Sequence, residues 1–248
     1  MRVLATYNIK GGVGKTSAAV NLAYLAAQQG NRTLLWDLDP QGAATFLFRI
    51  GPRVRGGVKA LVRGRTPLDA LIKGTDFNNL DLLPADLSYR RMDHVLDQSK
   101  HPNRRIAQLV KPLATGYDVL ILDCPPGMSL VSAGVLRAAD TLLVPLVPAT
   151  LSMRTFEQLT DFVGNAKQPR PRILAFFSMV DSRKRLHRET VANVLGQRND
   201  IAAAIIPAAS IVEQMGPRRL PVAVLSPTSA ATAAYQLLWR EALALGSR

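Results

Sequence analysis

The sequence predicts an α/β fold in which a mostly parallel, twisted sheet carries helices on both faces. Short apolar runs rich in branched residues alternate with longer segments rich in alanine and leucine, which is typical of such a sheet. The 248 residues, 48% of them hydrophobic, suffice for one large core and argue against wholesale disorder. We therefore expect one domain over residues 1–248.

The first β–α unit is the clearest element. Residues 3–7 predict a strand that is buried on both faces. Residues 15–29 predict a helix that is apolar around most of its circumference, and Gly30 follows as its stop signal. This helix should therefore lie inside the domain.

The later elements follow the same alternation. Further strands are predicted at residues 33–36, 80–83, 119–122, 141–147, 173–177 and 204–206. Further helices are predicted at residues 87–96, 104–113, 129–137, 153–165, 188–195 and 229–245. Residues 46–74 contain several glycines and predict a loop with a short helix after Pro67.

Composition narrows the class of protein. One cysteine cannot form an intrachain disulfide, no apolar run reaches the ~18 residues of a membrane span, and no signal peptide precedes Lys10, so we expect a cytoplasmic protein. The net charge of +13 favours a polyanionic partner, which leaves nucleic acid, acidic lipid and acidic protein open. Basic residues cluster at 49–65 and at 167–188, and either cluster can equally be a solvated face.

A glycine-rich loop follows the first strand. Residues 8–17 read Asn-Ile-Lys-Gly-Gly-Val-Gly-Lys-Thr-Ser, and the buried helix begins there. Glycines let successive amides point at one anion, and the helix N-terminus adds a positive dipole. Lys15 is placed to reach terminal phosphates and Thr16 to bind magnesium. The usual phosphate-loop pattern requires a glycine where this chain has Ile9, so the loop is a variant. The loop therefore predicts a nucleotide bound with Mg²⁺, held by Gly11, Gly12, Val13, Gly14, Lys15, Thr16 and Ser17.

This variant resembles the deviant Walker A motif of the ParA/MinD family of P-loop ATPases, and in particular its ParA-like partitioning branch. Asp37-Leu38-Asp39-Pro40-Gln41-Gly42 is similar to the switch I of that family, and Asp123-Cys124-Pro125-Pro126-Gly127 to its Walker B and switch II. The resemblance implies that the nucleotide is ATP, and that Lys10 also binds it by reaching across a homodimer to the phosphates held by the other subunit.

The resemblance also implies roles for the carboxylates. Asp39 orients or deprotonates the attacking water, and Asp123 supports the magnesium shell, so that the predicted metal residues are Thr16, Asp39 and Asp123. Asp37 either assists them or only forms the turn. The adenine is expected near Met179 and Pro207.

A related branch of the superfamily holds an iron–sulfur cluster between two subunits. One cysteine per chain excludes such a cluster, and Cys124 is expected to be partly buried. The three histidines, His94, His101 and His187, lack metal-ligand spacing and are expected to be exposed and structural.

Family members that bind DNA do so without sequence preference and position plasmids, chromosomal loci or protein assemblies. The candidate DNA contacts here are Arg183, Lys184, Arg185, Arg188, Arg218 and Arg219. The resemblance implies a nucleoid-associated protein and a ParB-like or cargo-adaptor partner that stimulates weak hydrolysis. The chain begins at the phosphate-loop strand, so we expect no separate DNA-reading domain.

Two alternatives stay open. The first is a metabolic or assembly ATPase of the same superfamily, such as an amidotransfer-type ligase. The second is a MinD-like protein that binds membranes through a C-terminal amphipathic helix. The end of this chain favours a helix packed on the sheet and shows no basic amphipathic tail, so membrane association is not expected.

Overall fold

The computed structural model describes residues 1–165, 170–195, 197–198 and 200–245, and within them one eight-stranded sheet forms. Its strand order is β3-β4-β2-β5-β1-β6-β7-β8, and each neighbouring pair is parallel except β3 with β4. This arrangement confirms the predicted α/β fold. The strands are β1 Arg2–Thr6, β2 Thr33–Asp37, β3 Lys73–Gly74, β4 Leu80–Leu83, β5 Val119–Asp123, β6 Thr141–Leu146, β7 Arg172–Val180 and β8 Ile201–Pro207.

Twelve α-helices connect and cover the strands in the described part of the chain. They are α1 Lys15–Gln28, α2 Ala43–Leu47, α3 Gly57–Val62, α4 Met92–Asp97, α5 Arg105–Val110, α6 Leu130–Ala138, α7 Thr150–Asn165, α8 Arg185–Leu195, α9 Ser210–Glu213, α10 Met215–Arg218, α11 Val222–Leu225 and α12 Ala230–Leu245. Single 3₁₀ turns occupy Asp69–Leu71, Leu87–Arg91, Pro102–Arg104 and Lys111–Thr115.

The sheet separates two hydrophobic cores. Successive side chains of a strand point to opposite faces, so Val3 and Ala5 enter one core while Leu4 enters the other. Helices α1 and α12 cover the Leu4 side, and α4 to α7 cover the other side. Helices therefore lie on both faces, as the sequence predicts.

The C-terminal helix α12 packs on the sheet. Tyr235, Leu238 and Trp239 are buried on its inner face, and the Trp239 indole donates a hydrogen bond of 2.8 Å to Gln29 Oε1. Residues 246–248 lie outside the described part. Within the described residues, we find no helix with the length and apolar character needed to cross a bilayer.

Residues 46–74 differ from the predicted loop. Helix α2 extends into its first two residues, α3 lies within it, and the short strand β3 ends it, whereas the short helix expected after Pro67 is present as the 3₁₀ turn Asp69–Leu71. Helix α3 forms because Val58, Leu61 and Val62 bury one face, with glycines at both ends. The spacing of these three residues is that of a helix, but it is too short a pattern among arginines and glycines to predict one.

Smaller differences concern the ends of elements. Helix α8 begins at Arg185 instead of residue 188, and β7 and β8 are longer than expected. Helices α9 to α11 fill residues 210–225, where the sequence indicated only turns. Each of these helices is a single turn, too short for a recognisable apolar period.

Parallel pairing brings the predicted motifs together at one edge of the sheet. Strands β1 and β2 both pair with β5, and Thr6 and Asp37 each lie in register with Asp123. The loops that follow these strands therefore meet at their carboxyl ends, the edge at which α/β sheets bind ligands. We call this edge the carboxyl edge.

Candidate nucleotide-binding site

The glycine-rich loop at residues 8–14 has the backbone that a phosphate cradle requires. Gly12 and Gly14 adopt positive φ angles of 69° and 95°, which residues with a Cβ rarely adopt. A Cβ on Gly14 would also lie 2.6 Å from the Ser178 hydroxyl oxygen. Glycine at position 14 is therefore required by the backbone and by the neighbouring strand β7.

Asn8 holds this loop, a role that sequence reasoning missed. Its Nδ2 donates to the Pro145 carbonyl at 2.8 Å, and its Oδ1 accepts from the Lys10 amide at 2.9 Å. The amide of Gly127, in the switch II motif, also donates to the Ile9 carbonyl at 3.0 Å. The loop is thus joined to β6 and to switch II. The only available signal was the place of a polar residue just before the glycines.

Lys15 lies inside the loop. Only 6% of the residue is exposed, and its Nζ donates to the Lys10 carbonyl at 2.8 Å. Burial lowers the pKa of Lys15, while the nearby charges of Asp123 and Asp39 oppose that shift. The ammonium group is thus a buried cation beside amides that can bind an anion.

Asp123 is fully buried at the end of β5. Its Oδ1 accepts from the Thr6 hydroxyl at 3.2 Å, whereas its Oδ2 has no hydrogen-bond partner. Burial, with the nearby charge of Asp37, raises the pKa of Asp123 to about 8, against the lowering effect of the Thr16 and Thr6 hydroxyls. A buried carboxylate oxygen without a partner is costly unless a ligand satisfies it.

These groups fit magnesium bound together with a nucleotide. Mg²⁺ commonly uses one or two carboxylates, waters and substrate phosphates, so it needs no cluster of protein ligands. Among the described residues no group of three or more histidine, cysteine or acidic side chains could hold a metal alone. The unpartnered oxygen of Asp123 and the adjacent Thr16 hydroxyl therefore supply what a phosphate-bound ion requires.

Asp37 and Asp39 differ in their environments. Asp37 is fully buried, and its Oδ2 accepts from the Thr45 amide and hydroxyl at 2.8 and 2.7 Å. Burial raises the pKa of Asp37 to about 6, although these hydrogen bonds oppose the shift. Asp39 is half-buried and accepts from the Gln41 amide at 2.9 Å. Asp37 therefore holds the turn of the switch I motif, which is one of the two roles expected for it. Asp39 is the more accessible of the two carboxylates.

The two residues predicted near adenine, Met179 and Pro207, lie close together at the ends of the paired strands β7 and β8. Val180, next to Met179, lies in register with Pro207 across β7 and β8. Met179 is 46% exposed and has a φ of 57°, unusual for a residue other than glycine. The pairing of β7 with β8 is irregular at this point, and Ser178, the residue before Met179, lies against Gly14 of the phosphate loop.

Two expectations about single residues need correction. Cys124 is fully buried, not partly buried, and burial raises the pKa of its thiol well above the usual range. His187 is 8% exposed, contrary to the expectation, because its Nδ1 accepts from the Asp181 amide at 3.1 Å and closes the loop before α8. His94 and His101 are exposed, as expected.

The basic cluster at residues 167–188 is divided by strand β7. Arg170 and Arg172 lie at the amino end of the strand, whereas Arg183, Lys184, Arg185 and Arg188 follow its carboxyl end. The cluster is therefore not one surface, and Lys167 lies outside the described residues. The second group surrounds the start of α8, where the helix dipole adds to its positive potential.

Arg218 and Arg219 follow β8, the neighbour of β7. Both are exposed, and the Arg219 guanidinium lies 4.0 Å above the centre of the Phe46 ring in α2. Arg49 also donates to the Arg218 carbonyl at 3.2 Å. The late basic turn thus contacts the segment that follows switch I, a contact that no sequence pattern indicated.

The sheet, the phosphate-type loop and the carboxylates at adjacent strand ends define a P-loop nucleoside triphosphatase. A family model described as "AAA domain" matches residues 1–175. The chain is 31% identical over 252 residues to the chromosome partitioning protein ParA of Caulobacter vibrioides, an alignment that covers 98% of this chain and 94% of that protein. The sporulation initiation inhibitor protein Soj of Bacillus subtilis is 28% identical, with 99% of both chains covered. The chain belongs to the ParA/MinD family of P-loop ATPases.

Solved structures agree with this assignment. A cobyrinic acid a,c-diamide synthase from Mycobacterium smegmatis, bound to an ATP analogue and magnesium, superposes with a TM-score of 0.84 and is 27% identical, with 100% of this chain and 96% of that one covered. The cell division ATPase MinD of Pyrococcus furiosus shares the fold, with a TM-score of 0.80, 20% identity, and 98% and 99% of the two chains covered. The same synthase solved with ADP and magnesium, and a MinD of Pyrococcus horikoshii solved with Mg-ADP, join the ATP-analogue complex in confirming ATP and Mg²⁺ as the predicted ligands at the level of the family.

Proposed function

We propose that this protein is a dimerising ATPase that binds DNA without sequence preference when ATP is bound. It positions or segregates a plasmid, a chromosomal locus or a protein assembly on the nucleoid. The observation that carries the proposal is the shared carboxyl edge, where the phosphate loop lies near exposed basic turns after β7 and β8. The relatives named as chromosome partitioning proteins support the same function.

The site residues divide the work of phosphoryl transfer. Bound ATP supplies the phosphoryl group, and magnesium neutralises its developing charge. The amides of residues 10–17 and the Lys15 ammonium hold the phosphates, and Thr16 and Asp123 hold the metal and its waters. Asp39 orients the attacking water and accepts its proton, while Met179 and Pro207 contact the adenine.

The exposed apolar side chains support a dimer. Among the described residues, the exposed large apolar side chains lie at or after the carboxyl ends of strands, and they are Phe46, Leu87, Met128, Leu151, Met179, the next-to-last residue of β7, and Leu186. Exposed apolar patches on a globular protein commonly mark contact surfaces. We infer that ATP closes two copies over this edge, with Lys10 reaching the phosphates of the other copy. A ParB-like or cargo-adaptor protein, together with DNA, stimulates the otherwise weak hydrolysis.

A DNA shift assay at several salt concentrations, with ATP, with ADP and without nucleotide, tests the proposal. We expect salt-sensitive binding only with ATP, because phosphate contacts release counterions and need the assembled dimer. The variant Asp39→Ala should retain ATP and accumulate as a dimer in sedimentation. Indifference to DNA in all three conditions would reject the DNA-binding function, and a variant that stays monomeric with ATP would reject the dimer or the role of Asp39.

The likeness to the diamide synthase favours one second candidate, an ATP-dependent amide-forming enzyme. Such an enzyme activates a carboxylate with ATP and therefore releases phosphate only when its acceptor is present. Phosphate release with DNA and a partner, but without a carboxylate substrate, would exclude this candidate. Hydrolysis that depends on a corrinoid carboxylate and an amide donor would establish it.

A further inference from the structure

Residues 49–65, here called the basic arm, carry a dense positive charge that the proposed site does not use. Their cations are Arg49, Arg53, Arg55, Lys59, Arg63 and Arg65, all exposed, with no acidic residue between them. Within the described residues, Arg49 forms an ion pair with Asp76 at 2.9 Å, and the other five form none. Most of this charge is therefore available to a partner.

Apolar residues fix the arm to the body of the protein. Val54, Val58 and Leu61 are each at most 3% exposed and belong to the core on the α4 side of the sheet. The Val54 amide donates to Asp86 Oδ2 and the Val58 amide to the Ser88 hydroxyl, both at 2.7 Å. The arm thus presents its cations from a packed backbone, so a ligand would not need to order a loose segment.

A groove of about 1090 Å³ lies between the arm and β3. Its cations are Arg53, Arg55 and Lys73. Asp86 also lines the groove, and although burial opposes the shift, hydrogen bonds from Ser88 and from the Val54 amide, with the charge of Arg53, lower its pKa, so it keeps its negative charge. Three cations against one carboxylate leave the groove with a net positive charge, which suits an anion.

This groove adjoins the late basic turn. Arg49 donates to the Arg218 carbonyl, and Arg219 lies over Phe46 in the helix just before the arm. Residues 49–74 expose no large apolar side chain, and the neighbouring Phe46, 49% exposed, carries the Arg219 guanidinium over one face of its ring. Protein interfaces depend on aromatic and apolar anchors at their centre, whereas DNA backbones are held by spaced cations. A nucleic acid partner therefore fits this surface better than an acidic protein does.

We propose that the groove formed by Arg53, Arg55 and Lys73 contacts the phosphate backbone of the same DNA duplex that the late turn at Arg218 and Arg219 binds. The inference rests on the proposed DNA-binding function and extends its footprint to the switch I side of the molecule. Helix α2 connects switch I to the arm.

The test compares three double variants with matched loss of charge. Arg53→Gln/Arg55→Gln removes two cations of the groove. Arg218→Gln/Arg219→Gln removes the two cations of the late basic turn. Lys100→Gln/Arg104→Gln is the control, because these exposed residues line a separate surface with Arg137, at the end of α6 remote from the carboxyl edge. ATP-dependent affinity for a duplex of arbitrary sequence is measured over a salt series for each variant.

We expect the slope of log affinity against log salt to fall by about 2 for the groove variant, since each lost phosphate contact removes about 0.9. Hydrolysis without DNA should stay at the wild-type rate, and the control variant should keep the wild-type slope. Lys73→Gln, on the opposite wall of the groove, should lower the slope by about half as much. Lower slopes in both groove variants, with an unchanged slope in the control, support the groove as a DNA contact.

Other outcomes overturn it. An unchanged slope in both groove variants, with a lower slope in the late-turn variant, would reject the groove while leaving the proposed function intact. Loss of stimulation by an adaptor protein with an unchanged DNA slope would assign the groove to an acidic protein partner instead. If the wild-type protein shows no ATP-dependent DNA binding, the proposed function and the groove fail together.

Discussion

The centre and the rim of the carboxyl edge differ in how firmly their side chains are held. At the centre, Lys15, Asp37 and Asp123 are at most 6% exposed, and each has a hydrogen-bond partner inside the protein. At the rim, the side chains of Arg183 and Arg185 are 88% and 83% exposed, and they pair with acidic groups of their own loop and helix. Substitutions at the centre should therefore alter chemistry and fold together, whereas those at the rim should alter charge alone.

The largest effect is expected for Lys15→Ala. Removal of the buried ammonium should weaken ATP binding by about 100-fold or more, because a charge-assisted phosphate contact is lost in a water-poor site. Lys10→Ala is the comparison: its monomer should bind ATP normally but fail to dimerise. Calorimetry measures the ATP affinity of each variant, and sedimentation measures its dimerisation. Equal losses of ATP affinity in the two variants would refute a distinct role for Lys10.

Gly14→Ala should come next. The positive φ and the overlap with Ser178 should together destabilise the loop by about 1–3 kcal/mol and reduce nucleotide binding. The double variant Gly14→Ala/Ser178→Ala removes the overlap but keeps the backbone strain, so it should recover part of the loss. Urea unfolding measures both proteins, and no recovery would show that backbone strain alone acts.

Thr45→Val tests the support of switch I. The Thr45 hydroxyl donates to Asp37 and accepts from the Ala85 amide at 2.8 Å, all within the interior. Its loss leaves buried polar groups unpaired and should cost about 2–4 kcal/mol in the free energy of unfolding. Thr45→Ser keeps the hydroxyl and should cost less, and equal losses for both variants would assign the effect to packing instead.

The smallest effect is expected at the rim. Arg183→Gln should weaken ATP-dependent DNA binding only about two- to five-fold, because one exposed phosphate contact among several is lost. Stability should stay within about 0.5 kcal/mol of the wild type, since the Arg183 side chain of the Arg183–Asp181 pair is 88% exposed to solvent. A thermal melt and a DNA titration check both values, and a large loss of stability would contradict the distinction between centre and rim.

Resemblance and periodicity predicted most of the central framework. The strands around the site, the buried helix α1 and the order of the three motifs all follow from local patterns, since apolar runs and glycine turns are read within a few residues. The same local signals did not give the roles of Asn8, Ser178 and Thr45. These residues act through partners on other strands and loops, and one sequence contains no record of such pairs.

Local patterns in the sequence predicted the class of fold, the glycine-rich loop, the positions of Lys15, Asp39 and Asp123, and the positive charge. The packed fold was needed to show that Asp37 holds the Thr45 turn, where strand β7 divides the basic cluster at residues 167–188, and that Arg49 contacts the Arg218 carbonyl. Backbone preferences and apolar periods are local, whereas burial, pKa shifts and the grouping of charges arise when distant segments pack together.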